Sequence, residues 1–177
     1  MNKAIILLVL GFLSIKSFSQ VKKEHYQQFD ISLPFRGNNT YGQIDNYGNR
    51  SDYWFLPNGL SLKYGVGVYQ KKWLALGMHS GINWILSDKI VTVPVFINFR
   101  LSPKIGYETR LYFQGGFGKS IVIGRGSLMG EYKKVSLGIE NSDGVSIFVE
   151  LEDHHGFSFG TNGKVVSFSL GLSLITF

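Results

Sequence analysis

Val91-Thr92-Val93-Pro94-Val95-Phe96-Ile97-Asn98-Phe99-Arg100-Leu101 alternates strictly: every odd position is large and apolar, and the even positions are mostly polar or small. Successive side chains of a β-strand point to opposite faces, so this stretch has one greasy face and one polar face. Residues 145–152 repeat the pattern with charge on the second face, and residues 166–174 repeat it with serine and glycine there. Working outward, the pattern predicts eight strands, at 28–36, 59–70, 73–86, 90–102, 108–120, 131–141, 144–154 and 164–177. Short turns at 70–72, 102–107 and 141–143 alternate with the connections 37–58, 87–89, 121–130 and 155–163, three of them long and rich in glycine or asparagine. Beyond residue 20 there is no helix-period segment, and no apolar run reaches the roughly 18 residues a spanning helix needs. The class is all-β.

Composition narrows the options. The 177 residues include 22 glycines, 15% aromatic and only 17% charged residues, and no cysteine. A disulfide framework, a thiolate metal site and a cysteine nucleophile are therefore excluded. At the N-terminus, Met1-Asn2-Lys3 is followed by an apolar run from Ala4 to Ile15, with Ser17 and Ser19 spaced as at a signal-peptidase site. This is the layout of a secretory signal peptide over 1–19, which implies export through the Sec pathway and a mature domain at 20–177. Cleavage there removes Lys3 and Lys16, so the net charge falls from +6 to +4. The basic balance is partly targeting signal, and no nucleic-acid partner is expected.

The remaining question is which face of each strand meets the interior. A soluble lipocalin-like barrel buries the apolar face; a transmembrane barrel turns it to lipid and lines its lumen with the polar one. Export, the short-and-long alternation of connections and the aromatics near strand ends (Tyr69, Trp73, Trp84, Tyr132, Phe177) favour the second. The polar face carries Asp30, Arg36, Lys63, Arg100, Arg110, Glu140, Glu150 and Glu152, charges of both signs that suit a lumen network. The expected architecture is an eight-stranded antiparallel up-and-down transmembrane β-barrel. Its lumen is too narrow for more than side chains, and open sheet edges are forbidden in hydrocarbon.

Residues 92–100, the run Leu111-Tyr112-Phe113-Gln114-Gly115-Gly116-Phe117-Gly118, Leu137-Gly138-Ile139 and the terminal Phe177 resemble the small outer-membrane β-barrel (porin-like) proteins of Bacteroidota. The resemblance covers the mature chain and implies an outer-membrane location with periplasmic termini. It also implies that the barrel-assembly machinery reads the last strand ending at Phe177. In such barrels the terminal Phe shares the apolar face of its strand. Here Phe168, Leu170, Leu172 and Leu174 share one face while Ile175 and Phe177 fall on the other, so a bulge near 174–175 or an early strand end is expected. Pro94 should leave a second irregularity, a bulge or a gap in the ladder.

Gly118-Lys119-Ser120 lacks the upstream glycine and following helix of a phosphate loop. Glu150, Glu152 and His154 share a face and could hold a divalent ion, but Lys134 and Lys164 on the flanking strands make an ion-pair network sufficient, so no metal or cofactor is expected. A lipid-A-modifying barrel enzyme is the alternative function. His79 and Ser80 are strand neighbours on opposite faces, whereas His155, Ser158 and Asp153 lie at a strand end and loop whose geometry is open. The loop 37–58 sets Tyr41, Tyr47, Tyr53, Trp54 and Phe55 among asparagines and aspartates, which fits either an interfacial aromatic belt or recognition of a protein or glycan. The sequence thus reads as a non-enzymatic barrel surrounded by outer-membrane lipid, with a structural or loop-mediated role.

Overall fold

The computed structural model describes residues 24–38, 41–44, 48, 50–87, 89–123, 129–155 and 164–177. The predicted leader, Tyr47 and Ser158 lie outside the described residues. The chain forms β1 (Glu24–Gly37), β2 (Phe55–Pro57), β3 (Gly59–Gln70), β4 (Leu74–Ile85), β5 (Ile90–Leu101), β6 (Arg110–Ile123), β7 (Met129–Glu140), β8 (Val145–His155) and β9 (Lys164–Thr176). Among the described residues there is no helix. Each long strand pairs antiparallel with the next, and β9 pairs back onto β1, so eight strands close and no long edge stays open. The three-residue β2 was read as loop; it pairs with the upper end of β1, which therefore runs on to Gly37.

The stagger follows from the register. Stepping across hydrogen-bonded partners from Glu24 leads through Tyr69, Ala75, Arg100, Gln114, Ser136, Glu150 and Ser169, and returns to β1 at Pro34, ten residues along. For eight strands at ordinary spacing that stagger tilts them by roughly 40°. Both described termini and the turns at 71–73, 102–109 and 141–144 lie at one end, and the other ends of the long strands lie opposite.

The two anticipated irregularities resolve differently. At Pro94 the β4–β5 ladder skips from Ser80↔Val95 to Asn83↔Thr92 with unchanged register: a gap, not a bulge. The Pro94 carbonyl accepts a hydrogen bond from the Ser80 hydroxyl (3.0 Å), so the ring nitrogen, which has no hydrogen to give, faces the same strand. At the C-terminus neither expected device occurs. The β9 registers run uniformly from Lys164 to Thr176, Ile175 is buried inside, and Phe177 stays in the same parity. Phe177 packs edge-on against Tyr69 (4.6 Å between centroids) beside Tyr26, Ala75 and Ile175. Its ring closes the barrel mouth from within instead of joining the outer apolar face.

Burial has the polarity of an inside-out protein. Outward positions are Phe, Leu, Ile and Val: Phe29, Ile31 and Leu33 on β1, Ile97 and Phe99 on β5, Leu170, Leu172 and Leu174 on β9 are all exposed. Inward positions are mostly Ser, Asn, Gln, Lys, Arg, Glu and His, with tyrosines and a few apolar residues among them, and nearly all are buried. Inward glycines sit where the neighbouring strand leaves no room for a side chain. A Cβ on Gly118 would sit 2.1 Å from the Val95 carbonyl oxygen, and one on Gly65 would meet the His79 ring at 2.3 Å.

Candidate functional site: the polar lumen and the loop-end surface

Strand parity brings seven charged groups into the barrel: Lys63, Arg100 and Lys134 against Asp30, Glu140, Glu150 and Glu152. Glu150 is the hub. It pairs with Lys63, accepts from Lys134 Nζ at 2.8 Å and from the Ser136 hydroxyl at 2.9 Å. Lys63 reaches on to Glu152 Oε1 at 2.7 Å, and Lys134 to Asp30 Oδ2 at 3.9 Å, so one network spans the lumen from β1 to β8. Gln28 donates to Asp30 (2.8 Å) and Gln114 donates to Gln28 (2.9 Å). Tyr132 donates to Glu152, and Asn83, itself accepting from Ser61 at 2.6 Å, donates to the same carboxylate at 3.3 Å. A second, smaller group lies nearer the turn end, where Arg100 pairs with Glu140, donates to Ser102 (2.9 Å) and stacks on Tyr112 (3.8 Å). Each buried charge thus has an opposite charge beside it, the condition under which a buried ion is tolerable.

Of the predicted lumen residues, Asp30, Lys63, Arg100, Glu140, Glu150 and Glu152 are gathered inside. Arg36 is not: it is exposed beyond the closed wall, where β1 pairs with β2 and no lumen exists to face. Arg110 is half-buried at the opposite rim, where its guanidinium donates to the carbonyls of Lys72 (3.0 Å) and Ser102 (3.2 Å). Lys134 is the central residue missing from the predicted network, although Glu152 had been matched to it. It faces Glu152 in register yet bonds Glu150 and Asp30, while Glu152 is held by Lys63 from across the lumen. Parity alone would have separated it from its neighbour Lys133, which is outside and 60% exposed.

Buried apolar residues flank the network towards both ends. Tyr26, Tyr69, Ala75, Ile175 and Phe177 fill the turn end; Ile85, Ile90 and Val122, all inward and buried, fill the loop end. Above the loop end, Asn38 anchors the loop through its side-chain amide, which donates to Ser51 Oγ (2.7 Å) and the Tyr53 carbonyl (2.8 Å). Tyr41 and Trp54 lie ring to ring at 5.1 Å, and Tyr53 is 74% exposed. Phe55 instead lies 6.4 Å from Phe168 on the outer wall, apart from the Tyr41–Trp54 pair. His79 is buried and Ser80 points outward, as their adjacency requires. His155 is outward and exposed opposite Glu131.

No family model matches the chain, and no curated protein matches it. Among solved structures, the outer membrane enzyme PagL superposes with a TM-score of 0.55 at 12% identity, covering 83% of this chain and 98% of that one. Neisserial surface protein A gives 0.57 at 12% identity, covering 86% and 96%. The Yersinia pestis outer membrane protein Ail gives 0.46 at 14%, covering 86% and 100%. The first two likenesses show the fold, that of small eight-stranded outer-membrane barrels. They include an enzyme and a surface protein, so the fold alone assigns no activity.

Proposed function

We propose that the chain is a non-enzymatic barrel of a Gram-negative outer membrane, reaching it by Sec export and assembly from its C-terminal strand, and working through its loop-end surface. The observation that carries the reading is the inverted burial. A belt of Leu, Ile, Val and Phe faces outward around the whole barrel, while charge is enclosed and cross-linked within it. Water does not tolerate such an exterior, whereas hydrocarbon does. A lumen filled by ion pairs and stoppered by apolar rings has no path for solutes, which supports a structural or interaction role over transport. Tyr41, Tyr53 and Trp54, held by the Asn38 bonds, are the surface offered to a protein or glycan partner. The resemblance to Bacteroidota barrels supports an origin in that group.

The test is fractionation of the native protein followed by gel migration with and without heating. A heat-modifiable band in the outer-membrane fraction is expected; a protein soluble without detergent would overturn the reading. One observation favours a second reading, a lipid-modifying enzyme: His155 faces outward opposite Glu131, with Asp153 two residues before it on the same strand face. Mass analysis of lipid A from a deletion strain and a His155→Ala strain separates the two, since a changed lipid would replace the non-enzymatic reading.

A further inference from the structure

On β6 and β7 the outer wall departs from its apolar rule. Lys119, Glu131 and Lys133 point outward and are exposed, with Asp153 and His155 beside them on β8. Lys133 bonds Glu131 at 3.0 Å and lies opposite Asp153, so these charges answer one another. Lys119 differs. It lies opposite Glu131 in register but has no ion-pair partner among the described residues. It is not at the rim either: β6 continues upward through the outward Ile121 (43% exposed) and Ile123 (57%). Four residues of tilted strand separate Lys119 from the end of β6, a climb of about 10 Å. Glu131 is engaged by Lys133, so the Lys119 ammonium, with apolar residues above and below it on its own strand, favours a further anion from the lipid side.

Directly at Lys119 the wall is hollowed. A groove of about 370 Å³ runs between Met78, Val95, Ile97, Phe117, Ile121 and Met129, and Lys119 is its one charged lining residue. A second outer groove, of about 250 Å³ near Trp73, Leu101 and Leu111, has no charged residue in its wall. We propose that the first groove is a specific site for an acyl lipid carrying a phosphate, with a hydrocarbon chain along the groove and the phosphate on the Lys119 ammonium. The proposal rests on the membrane-spanning reading above. A charge-assisted contact in a low-dielectric setting is strong enough to select one lipid from the surrounding bulk.

Native mass spectrometry of the full mature chain in neutral detergent, titrated with dioleoyl phosphatidic acid or with dioleoylglycerol, tests it. The wild type should hold the phosphatidic acid at about tenfold lower concentration than the phosphate-free lipid, the difference one charge-assisted bond supplies. Lys119→Gln should erase that preference, Lys119→Arg should keep it, and Val95→Trp, which fills the groove, should weaken both lipids. Lys104→Gln, on the turn between β5 and β6, should change nothing. Equal retention of the two lipids, a preference surviving in Lys119→Gln, or a Val95→Trp variant binding like wild type would each overturn the proposal. A dimer dissolved by Lys119→Gln would overturn it in favour of a second copy of the chain. Heat-modifiable migration of the same preparations keeps the two readings apart: a barrel that shifts on heating but shows no lipid preference fails this proposal alone.

Discussion

Glu150 is held by Lys63, Lys134 and Ser136 at once and has no exposed surface, so its loss leaves two ammonium groups buried with one acceptor fewer. Breaking a buried pair from one side costs about 3–5 kcal/mol. Glu150→Leu should therefore lower the free energy of unfolding, read from urea titration in detergent micelles, by that amount, and Glu150→Leu with Lys134→Met should recover part of it. Arg100→Leu should cost a similar amount by stranding Glu140, with the stacking on Tyr112 lost as well. Neutral results would mean that these side chains do not face the lumen. At this scale alternation told which residues point inward, and six of the eight predicted charges are there. It could not tell who bonds whom. Lys63 and Glu150 are brought together by curvature across the lumen, not by neighbouring strands, and Arg36 failed because parity continues past the point where the wall ends.

Among the elements, the turn β3–β4 carries a local conflict. Lys71 and Lys72 both adopt positive φ (53° and 55°), and the Trp73 amide closes on the Gln70 carbonyl at 3.0 Å. That is the mirror-image turn that hairpins prefer, but in residues that dislike its backbone. Lys71→Asn should raise stability by up to about 1 kcal/mol, measured by the same unfolding assay. The ladder gap at Pro94 makes a different forecast. Pro94→Ala restores an N–H aimed at β4, so amide exchange at Gly81 and Ile82 should slow, with overall stability moving by no more than about 1 kcal/mol. Strand positions were legible because period two persisted over whole segments. The short β2 was not, since three residues carry no period and its pairing depends on where β1 ends.

For the whole molecule, the decisive feature is a lumen filled by ion pairs, with buried apolar side chains towards both ends. Planar-bilayer recordings of the purified barrel should show no unit conductance. Phe177→Ala opens only the turn end, leaving Ile85, Ile90 and Val122 and the ion-pair network in place, so it should remain non-conducting. Its loss of ring packing on Tyr69 and Ile175 should still destabilise the barrel by about 3 kcal/mol, read by unfolding in detergent. A steady channel in either protein would contradict the sealed lumen. Phe177 thus has a packing role inside the rim.

The run 91–101 and its repeats were enough to require strands with two opposite faces, because side-chain direction in a strand depends on local geometry alone. Closure into eight strands followed from the number of segments and the cost of open edges in lipid. Tertiary structure decided what depends on shear and distance. The ten-residue stagger chose which charges meet across the lumen, uniform registers carried Phe177 inward, and the hollow beside Lys119 arose across four neighbouring strands. None of these is encoded in a period of two.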